Sequence, residues 1–228
     1  MLVAPLGIDL APVPAVEASS ERPYFIYVAT IESRKNHLLL LRIWERLAQE
    51  LGLIAPGLVL IGRRGWQHER VVARIAGSAA LTALMQEHNT LPDVAVARLL
   101  GGATAALYPS FAEGYGLPVA EALALGVPVI CSDLPELREV GGNVPVYLET
   151  GDEDAWHAMI RAYTEPGSGE REAQMARLSD WAAPSWDQHF ALVRPLIDQA
   201  LEIVRLRPEP AAFAPRASAE PSSAVGGS

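Results

Sequence analysis

Ser110-Phe111-Ala112-Glu113-Gly114-Tyr115-Gly116-Leu117-Pro118-Val119-Ala120-Glu121-Ala122 follows the apolar run Ala105 to Tyr108 and opens onto a helical pattern ending near Leu125 and Gly126. A short buried strand, a glycine-bearing turn and then a helix is the half-unit from which α/β sheets are built. Gly114 and Gly116 remove side chains where backbone N–H groups can approach an anion. The helix N-terminus adds partial positive charge, so this turn suits a diphosphate.

Outward from this point the same alternation recurs. Apolar runs at Tyr24 to Ala29, Leu58 to Ile61, Val127 to Cys131 and Val144 to Leu148 are bounded by Gly, Pro, Asn or Asp. Such runs read as strands buried on both faces. Helical patterns occupy His37 to Leu51, Gln67 to Ala76, Val94 to Leu100, Leu117 to Leu125 and Pro135 to Val140, with Asp93 and Gly126 as expected N-cap and stop. After Gly151 only helices follow: Asp152 to Thr164, Glu170 to Trp181 and Ser185 to Arg205. The class is α/β, a single Rossmann-like, doubly wound parallel sheet with C-terminal helices. Residues 1–22 read as a linker-like lead-in, 23–206 as the folded domain, and the Pro/Ala/Ser/Gly-rich 207–228 as a disordered tail.

Composition narrows the function. The formal net charge of -9 over 228 residues disfavours a binder of nucleic-acid backbone. Arg34-Lys35 and Arg63-Arg64 remain local cationic points that suit a small anion. Cys131 is the only cysteine and sits inside an apolar run, so it reads as a packed strand residue. No apolar stretch approaches the ~18 residues of a membrane span, and no basic-then-apolar leader opens the chain. The expected location is cytoplasmic, with the inner membrane face as a peripheral station. The five histidines lack ligand spacing, so no metal is expected. Gly-x-Ser-x-Gly, dinucleotide and Walker patterns are missing from the sequence. Trp44, Trp156, Trp181 and Trp186 fall at apolar helical positions and read as packing; Trp66 lies in a loop.

In ligand-binding terms, Glu113 precedes the turn amides and can accept from sugar hydroxyls. Glu121 lies about five residues into the helix, a rise of roughly 7.5 Å, where it can reach a ribose. Two glutamates eight apart are common by themselves; their surroundings carry the argument.

The stretch from Phe111 to Asp133, with Glu113-x7-Glu121 and Gly126-Val-Pro-Val129, resembles the signature block of retaining GT-B glycosyltransferases, the family 4 or glycosyl transferases group 1 grouping. Pro135-Glu-Leu-Arg-Glu-Val-Gly141 continues it, and the likeness spans about Val3 to Leu206. The resemblance implies the C-terminal half of a GT-B fold and transfer of a hexose from a nucleotide diphosphate sugar with retention of configuration. It makes Glu113 the donor-sugar carboxylate and Glu121 the ribose carboxylate. Gly114, Tyr115, Gly116 and Leu117 become contacts to sugar and diphosphate, and Lys35 the cation facing the departing diphosphate, without a metal or other cofactor. Many relatives carry Gly-Arg where this chain has Ala29-Thr30, so Thr30 lies against the donor, with Arg34 and Arg63 as substitute cations. The wording Thr30-Ile-Glu-Ser-Arg-Lys-Asn36 resembles a mannosyltransferase-like subgroup, which makes GDP-mannose the preferred donor and polysaccharide or glycoconjugate synthesis the setting.

The resemblance also implies that Val3-Ala-Pro-Leu-Gly-Ile-Asp9 matches the segment joining two domains, so the acceptor domain is expected on a separate partner. A truncated or split enzyme, and a nucleotide-sugar-binding module without activity, stay open as alternatives; a sugar epimerase on the same architecture is disfavoured by the Glu-x7-Glu block. The last helix is expected to leave apolar surface uncovered and to promote association, with an acceptor domain or as a homo-oligomer.

Overall fold

The computed structural model describes residues 2–10 and 22–205. Its centre is a six-stranded, wholly parallel sheet: β1 (Tyr24–Val28), β2 (Gly57–Ile61), β3 (Met85–His88), β4 (Ala105–Tyr108), β5 (Val129–Ser132) and β6 (Val146–Leu148), in the order β3-β2-β1-β4-β5-β6. Every residue of β4 and β5 is buried, which is why their sequences are unbroken apolar or small runs rather than alternating ones.

The helices are α1 (His37–Leu51), α2 (Glu69–Ala76), α3 (Ala79–Leu84), α4 (Asp93–Gly101), α5 (Leu117–Ala124), α6 (Pro135–Gly141), α7 (Glu153–Thr164), α8 (Gly169–Leu178) and α9 (Trp186–Arg205). Helix α1 packs against α2, α3 and α7, and α5 packs against α6. Right-handed crossovers place the first group and the second on opposite faces of the sheet. The chain winds outward through β1, β2 and β3, then returns to lay β4 beside β1. At that reversal the loops after β1 and β4 diverge to opposite faces, and the gap between them is where sheets of this type bind ligands.

Apolar periodicity located α1 to the residue, because Leu39, Leu40, Ile43, Trp44 and Leu47 all drive into the core. Trp44 stands edge-on to Phe25 with centroids 5.7 Å apart and donates its indole N–H to Pro56 O at 2.9 Å. Trp156 is likewise fully buried, and Cys131 packs inside β5, where burial pushes its thiol far above the ordinary range. Other expected ends shift by one to three residues, as end positions do. One expected cap is corrected: Asp93 is the first residue of α4 and Pro92 occupies the N-cap, without a side-chain cap. The expected tail from 207 lies outside the described residues.

Two elements were not anticipated. Helix α3 is capped by Ser78, whose hydroxyl accepts from Leu81 N, and β3 follows at once. β3 reads Met-Gln-Glu-His and lies at the sheet edge, paired with β2 alone. Edge position explains the polar sequence, since one flank faces no other strand.

Residues 5–8 are tied down at three points, one of them the Pro5 carbonyl 3.0 Å from His189 Nδ1 in α9. Ile8 N donates to Pro184 O at 3.1 Å, and Leu6 N donates to the Tyr115 hydroxyl at 3.1 Å. Gly7 sits so close to Trp186 that a Cβ there would overlap its backbone. Helix α9 begins with a capping box: Gln188 N donates to Ser185 Oγ and Ser185 N donates to Gln188 Oε1, both at 3.2 Å.

The closing helices are stitched to the sheet through fully buried Gln174. Its Nε2 donates to Val129 O at 2.7 Å, and its Oε1 accepts from the Tyr163 hydroxyl at 2.5 Å. Gln174→Leu leaves two buried polar groups without partners. It should cost about 3 kcal/mol and lower the melting temperature by roughly 6–12 °C in calorimetry; a variant as stable as the parent would show the bridge to be dispensable.

Candidate functional site

The loop after β1 ends in a 3-10 turn, Ser33–Lys35, and Asn36 then adopts a left-handed conformation before α1. That reversal carries Lys35 over the gap between β1 and β4. The loop after β4 brings Glu113 to the same place. Lys35 Nζ donates to both carboxylate oxygens of Glu113 at 2.7 Å, and each side chain is only 9% exposed. Residues 78 apart in sequence thus form a nearly buried, bidentate ion pair at the topological switch point.

A hydroxyl pair lies beneath it. Tyr27, fully buried in β1, donates to the Lys35 carbonyl at 2.8 Å and stands 3.2 Å from Ser110 Oγ. Phe111 N donates to Arg34 O at 2.8 Å. These contacts fasten the two loops to each other.

Arg34 forms the outer lip. Its Nε meets Glu32 Oε1 at 2.5 Å, its Nη1 donates to Ala112 O at 3.3 Å, and the same nitrogen is 3.8 Å from Glu113 Oε2. Arg34, Lys35 and Glu113 are therefore gathered as the sequence suggested. Glu32, which the sequence reading left aside, is the counter-ion that orients Arg34; its acidic character two residues before a cation was the only available signal.

The turn amides are not claimed by other groups among the described residues. Those of Gly114, Tyr115 and Gly116 make no hydrogen bond among the described residues. Gly116 is the N-cap of α5 with φ 94°, a region that favours glycine, and a Cβ there would meet Leu137 Cδ2 at 2.7 Å. Leu117 opens α5, with Pro118 in its first turn, where no N–H is needed.

Glu121 is set apart. It lines a hollow of about 430 Å³ with Asp9, Asp93, Val96, Leu100 and Leu125, on the side of α4 and α5. Burial, then the charge of Asp93, raises its carboxyl above the ordinary range. Burial first, and then charges that include Glu121 and Glu113, hold the Tyr108 hydroxyl at the end of β4 well above the ordinary phenol range. The two glutamates thus flank the first turns of α5 without meeting.

The remaining expected residues lie toward β2. Thr30 is exposed beside Gly65. Arg63 is exposed and makes no ion pair among the described residues, while its carbonyl accepts from Ile31 N at 2.8 Å. Arg64 is held by Glu87 at 2.8 and 3.2 Å. No group of three metal-ligating side chains occurs among the described residues.

One histidine that ligand spacing sets aside proves to be a buried group at the site's edge. His37, 1% exposed, stacks on Tyr27 with centroids 4.6 Å apart. Burial first, and the Lys35 charge second, lower its pKa to about 4, so the ring is neutral near neutrality.

The six-stranded parallel sheet with its helices is a Rossmann-like fold shared with GT-B glycosyltransferases. The sequence matches the glycosyl transferases group 1 family over residues 13–177, and the chain belongs to that family. It is 33% identical over 164 residues to the O-antigen chain mannosyltransferase B of Escherichia coli, covering 72% of this chain and 42% of that protein. Among solved structures it resembles a mutant of S. aureus TarM in complex with fondaparinux, alpha-GlcNAc-glycerol and UDP (TM-score 0.66, 11% identity, 86% of this chain and 38% of that one). It also resembles sucrose-phosphate synthase from Thermosynechococcus elongatus (TM-score 0.65, 20% identity, 88% and 52%). The chain spans less than half the length of the mannosyltransferase it matches. No described helix is long and apolar enough to cross a membrane.

Two outcomes test this geometry. Lys35→Met strands the Glu113 charge in a nearly buried place and should cost about 3 kcal/mol, most of it recovered in the Lys35→Met/Glu113→Gln double variant. Simple addition of the two single losses would deny the pair its place. The second concerns His37: its pKa is lower folded than unfolded, so the unfolded chain gains the proton first as pH falls. Stability should therefore drop between pH about 6.5 and about 4, by on the order of 3 kcal/mol from this group. Denaturant midpoints should fall less steeply with acid in His37→Leu. Glu121, shifted the opposite way, is common to both proteins and drops out of the difference.

Proposed function

We propose that this chain is the donor-binding half of a retaining hexosyltransferase that takes a mannosyl group from GDP-mannose during polysaccharide or glycoconjugate synthesis. The observation that carries this reading is the Lys35–Glu113 pair beside the unpaired amides of Gly114, Tyr115 and Gly116. Family membership and a relative named as an O-antigen chain mannosyltransferase support it.

The chemistry follows from the charges. A diphosphate settling on the α5 N-terminus carries more negative charge than one carboxylate and draws the Lys35 ammonium across. Glu113, released from Lys35, accepts hydrogen bonds from hydroxyls of the sugar. As the glycosidic bond breaks, Lys35 and the neighbouring Arg34 stabilise charge developing on the diphosphate, a role that requires no metal. Thr30 and Arg63 border the donor on the β2 side. Glu121, whose carboxyl is raised above the ordinary range by burial and then by Asp93, suits hydrogen bonding to the ribose hydroxyls.

The acceptor domain belongs to a separate surface, and α9 is where it docks. Phe190, Leu192, Leu196, Ile197, Leu201 and Ile203 are exposed along this helix. The chain spans 42% of the length of its mannosyltransferase relative, and a nucleotide-sugar-binding module without turnover of its own is the second reading.

Calorimetric titration should show GDP and GDP-mannose binding to the chain, with the sugar conferring extra affinity. Lys35→Met should weaken both by about tenfold or more, as expected for a charge-assisted contact. Glu113→Gln should erase the advantage of GDP-mannose over GDP. Unchanged affinity of Lys35→Met for GDP would overturn the reading.

A further inference from the structure

Two buried tyrosines stand beneath the site, one near the carboxyl end of each strand that feeds it. Tyr27 belongs to β1 and Tyr108 closes β4, and each is no more than 2% exposed. Their rings meet edge to face, with centroids 5.7 Å apart and planes at 82°, a preferred arrangement of aromatic rings. Burial lifts both phenols far above their ordinary range, so each keeps its proton and acts as a donor.

The two hydroxyls reach different elements. Tyr27 donates to Lys35 O at 2.8 Å and stands 3.2 Å from Ser110 Oγ. Tyr108 donates to Pro118 O at 2.8 Å, in the first turn of α5. The ring contact therefore joins the backbone that carries the cation to the backbone whose amides are open to an anion.

Both targets need an outside hold. Lys35 precedes the N-cap Asn36, whose carbonyl accepts from Leu39 N, so the ladder of α1 begins beyond the lysine. On the other side, Gly114 and Gly116 give the turn a freedom that binding must remove. The amides of Gly114, Tyr115 and Gly116 make no hydrogen bond among the described residues, so no bond of their own fixes where they point. Two groups that grip one small anion need a set separation, since a displacement of about 1 Å weakens such a grip severely.

We propose that Tyr27 and Tyr108 are positioning residues. As one braced unit they set the Lys35 ammonium and the amides of residues 114–116 at the spacing a diphosphate requires. The diphosphate comes from the donor reading above; the brace itself rests on the three hydroxyl contacts and the ring contact. Both tyrosines act through the groups they hold.

Tyr27→Phe, Tyr108→Phe and a control, Tyr24→Phe, each remove one hydroxyl from the full chain. Tyr24 donates to Leu99 O at 2.7 Å, at the opposite end of β1. All three should lower the melting temperature by roughly 2–4 °C, the worth of one hydrogen bond. Titration calorimetry should show GDP binding about fivefold weaker in Tyr27→Phe and in Tyr108→Phe, and unchanged in Tyr24→Phe. In the Lys35→Met background, Tyr27→Phe should cost no further affinity, because its effect passes through the lysine, while Tyr108→Phe should still cost about fivefold. Unchanged GDP affinity in either single variant, or an equal loss from Tyr27→Phe with and without Lys35, would overturn the proposal. A parent chain that binds no GDP sinks the donor reading alone, and the brace is then decided without nucleotide. The stability coupling between Lys35→Met and Glu113→Gln should fall by about half in Tyr27→Phe and persist in Tyr24→Phe. Coupling that survives Tyr27→Phe intact sinks the brace.

Discussion

The site depends on a single ion pair. Lys35 and Glu113 are nearly buried, and two charges in such a place are tolerable only when they satisfy each other. Their meeting requires the loops after β1 and β4 to be neighbours. The strand order supplies this, since β4 returns to the side of β1 after β2 and β3 have been laid down on the other. The Tyr27 hydroxyl then holds the Lys35 carbonyl and reaches Ser110, so the backbone beneath the pair is fixed even where the side chain above it is free to move.

The same junction explains why glycine, proline and aromatic residues crowd a short stretch. Gly116 must be left-handed to turn the chain into α5 and must lack a Cβ to let Leu137 approach. Tyr115 sends its hydroxyl to Leu6, joining the turn to residues 5–8, which are themselves pinned against the start of α9. The Gly114–Gly116 turn, residues 5–8 and the last helix are thus mechanically continuous. A partner resting on the apolar side of α9 would press on an element linked to the turn through residues 5–8 by the His189–Pro5, Pro184–Ile8 and Leu6–Tyr115 hydrogen bonds.

Much of this was legible beforehand, and the reasons are specific. Buried parallel strands announce themselves as apolar runs, and a 15-residue amphipathic helix such as α1 as a period. β3 escaped because an edge strand needs no apolar sequence, and α3 because six residues are too few to show a period. Lys35, Arg34 and Glu113 could be singled out by type and motif. Their distances could not, because 78 residues separate the partners and only the sheet order brings them together. His37 was weighed only as a metal ligand and set aside for want of spacing. Its significance lies in what surrounds the ring, which no one-dimensional pattern records.

The pairing also bears on how a chain of net charge -9 can take up a dianionic ligand. Lys35 and Glu113 cancel each other at a distance, so the long-range field does not advertise the site. Attraction is instead short-ranged, from the amides of Gly114 to Gly116, the α5 N-terminus and the exposed guanidinium of Arg63. Only after a phosphate has reached these groups is exchange at Lys35 favourable, because two strong acceptors then compete for one ammonium. On the proposed donor reading, release of Glu113 would be coupled to arrival of the diphosphate. The carboxylate becomes available for sugar hydroxyls at the moment a sugar is present to offer them, and an anion lacking a sugar leaves it exposed and without a partner. On that reading the asymmetry would favour the whole nucleotide sugar over its fragments through one ion pair.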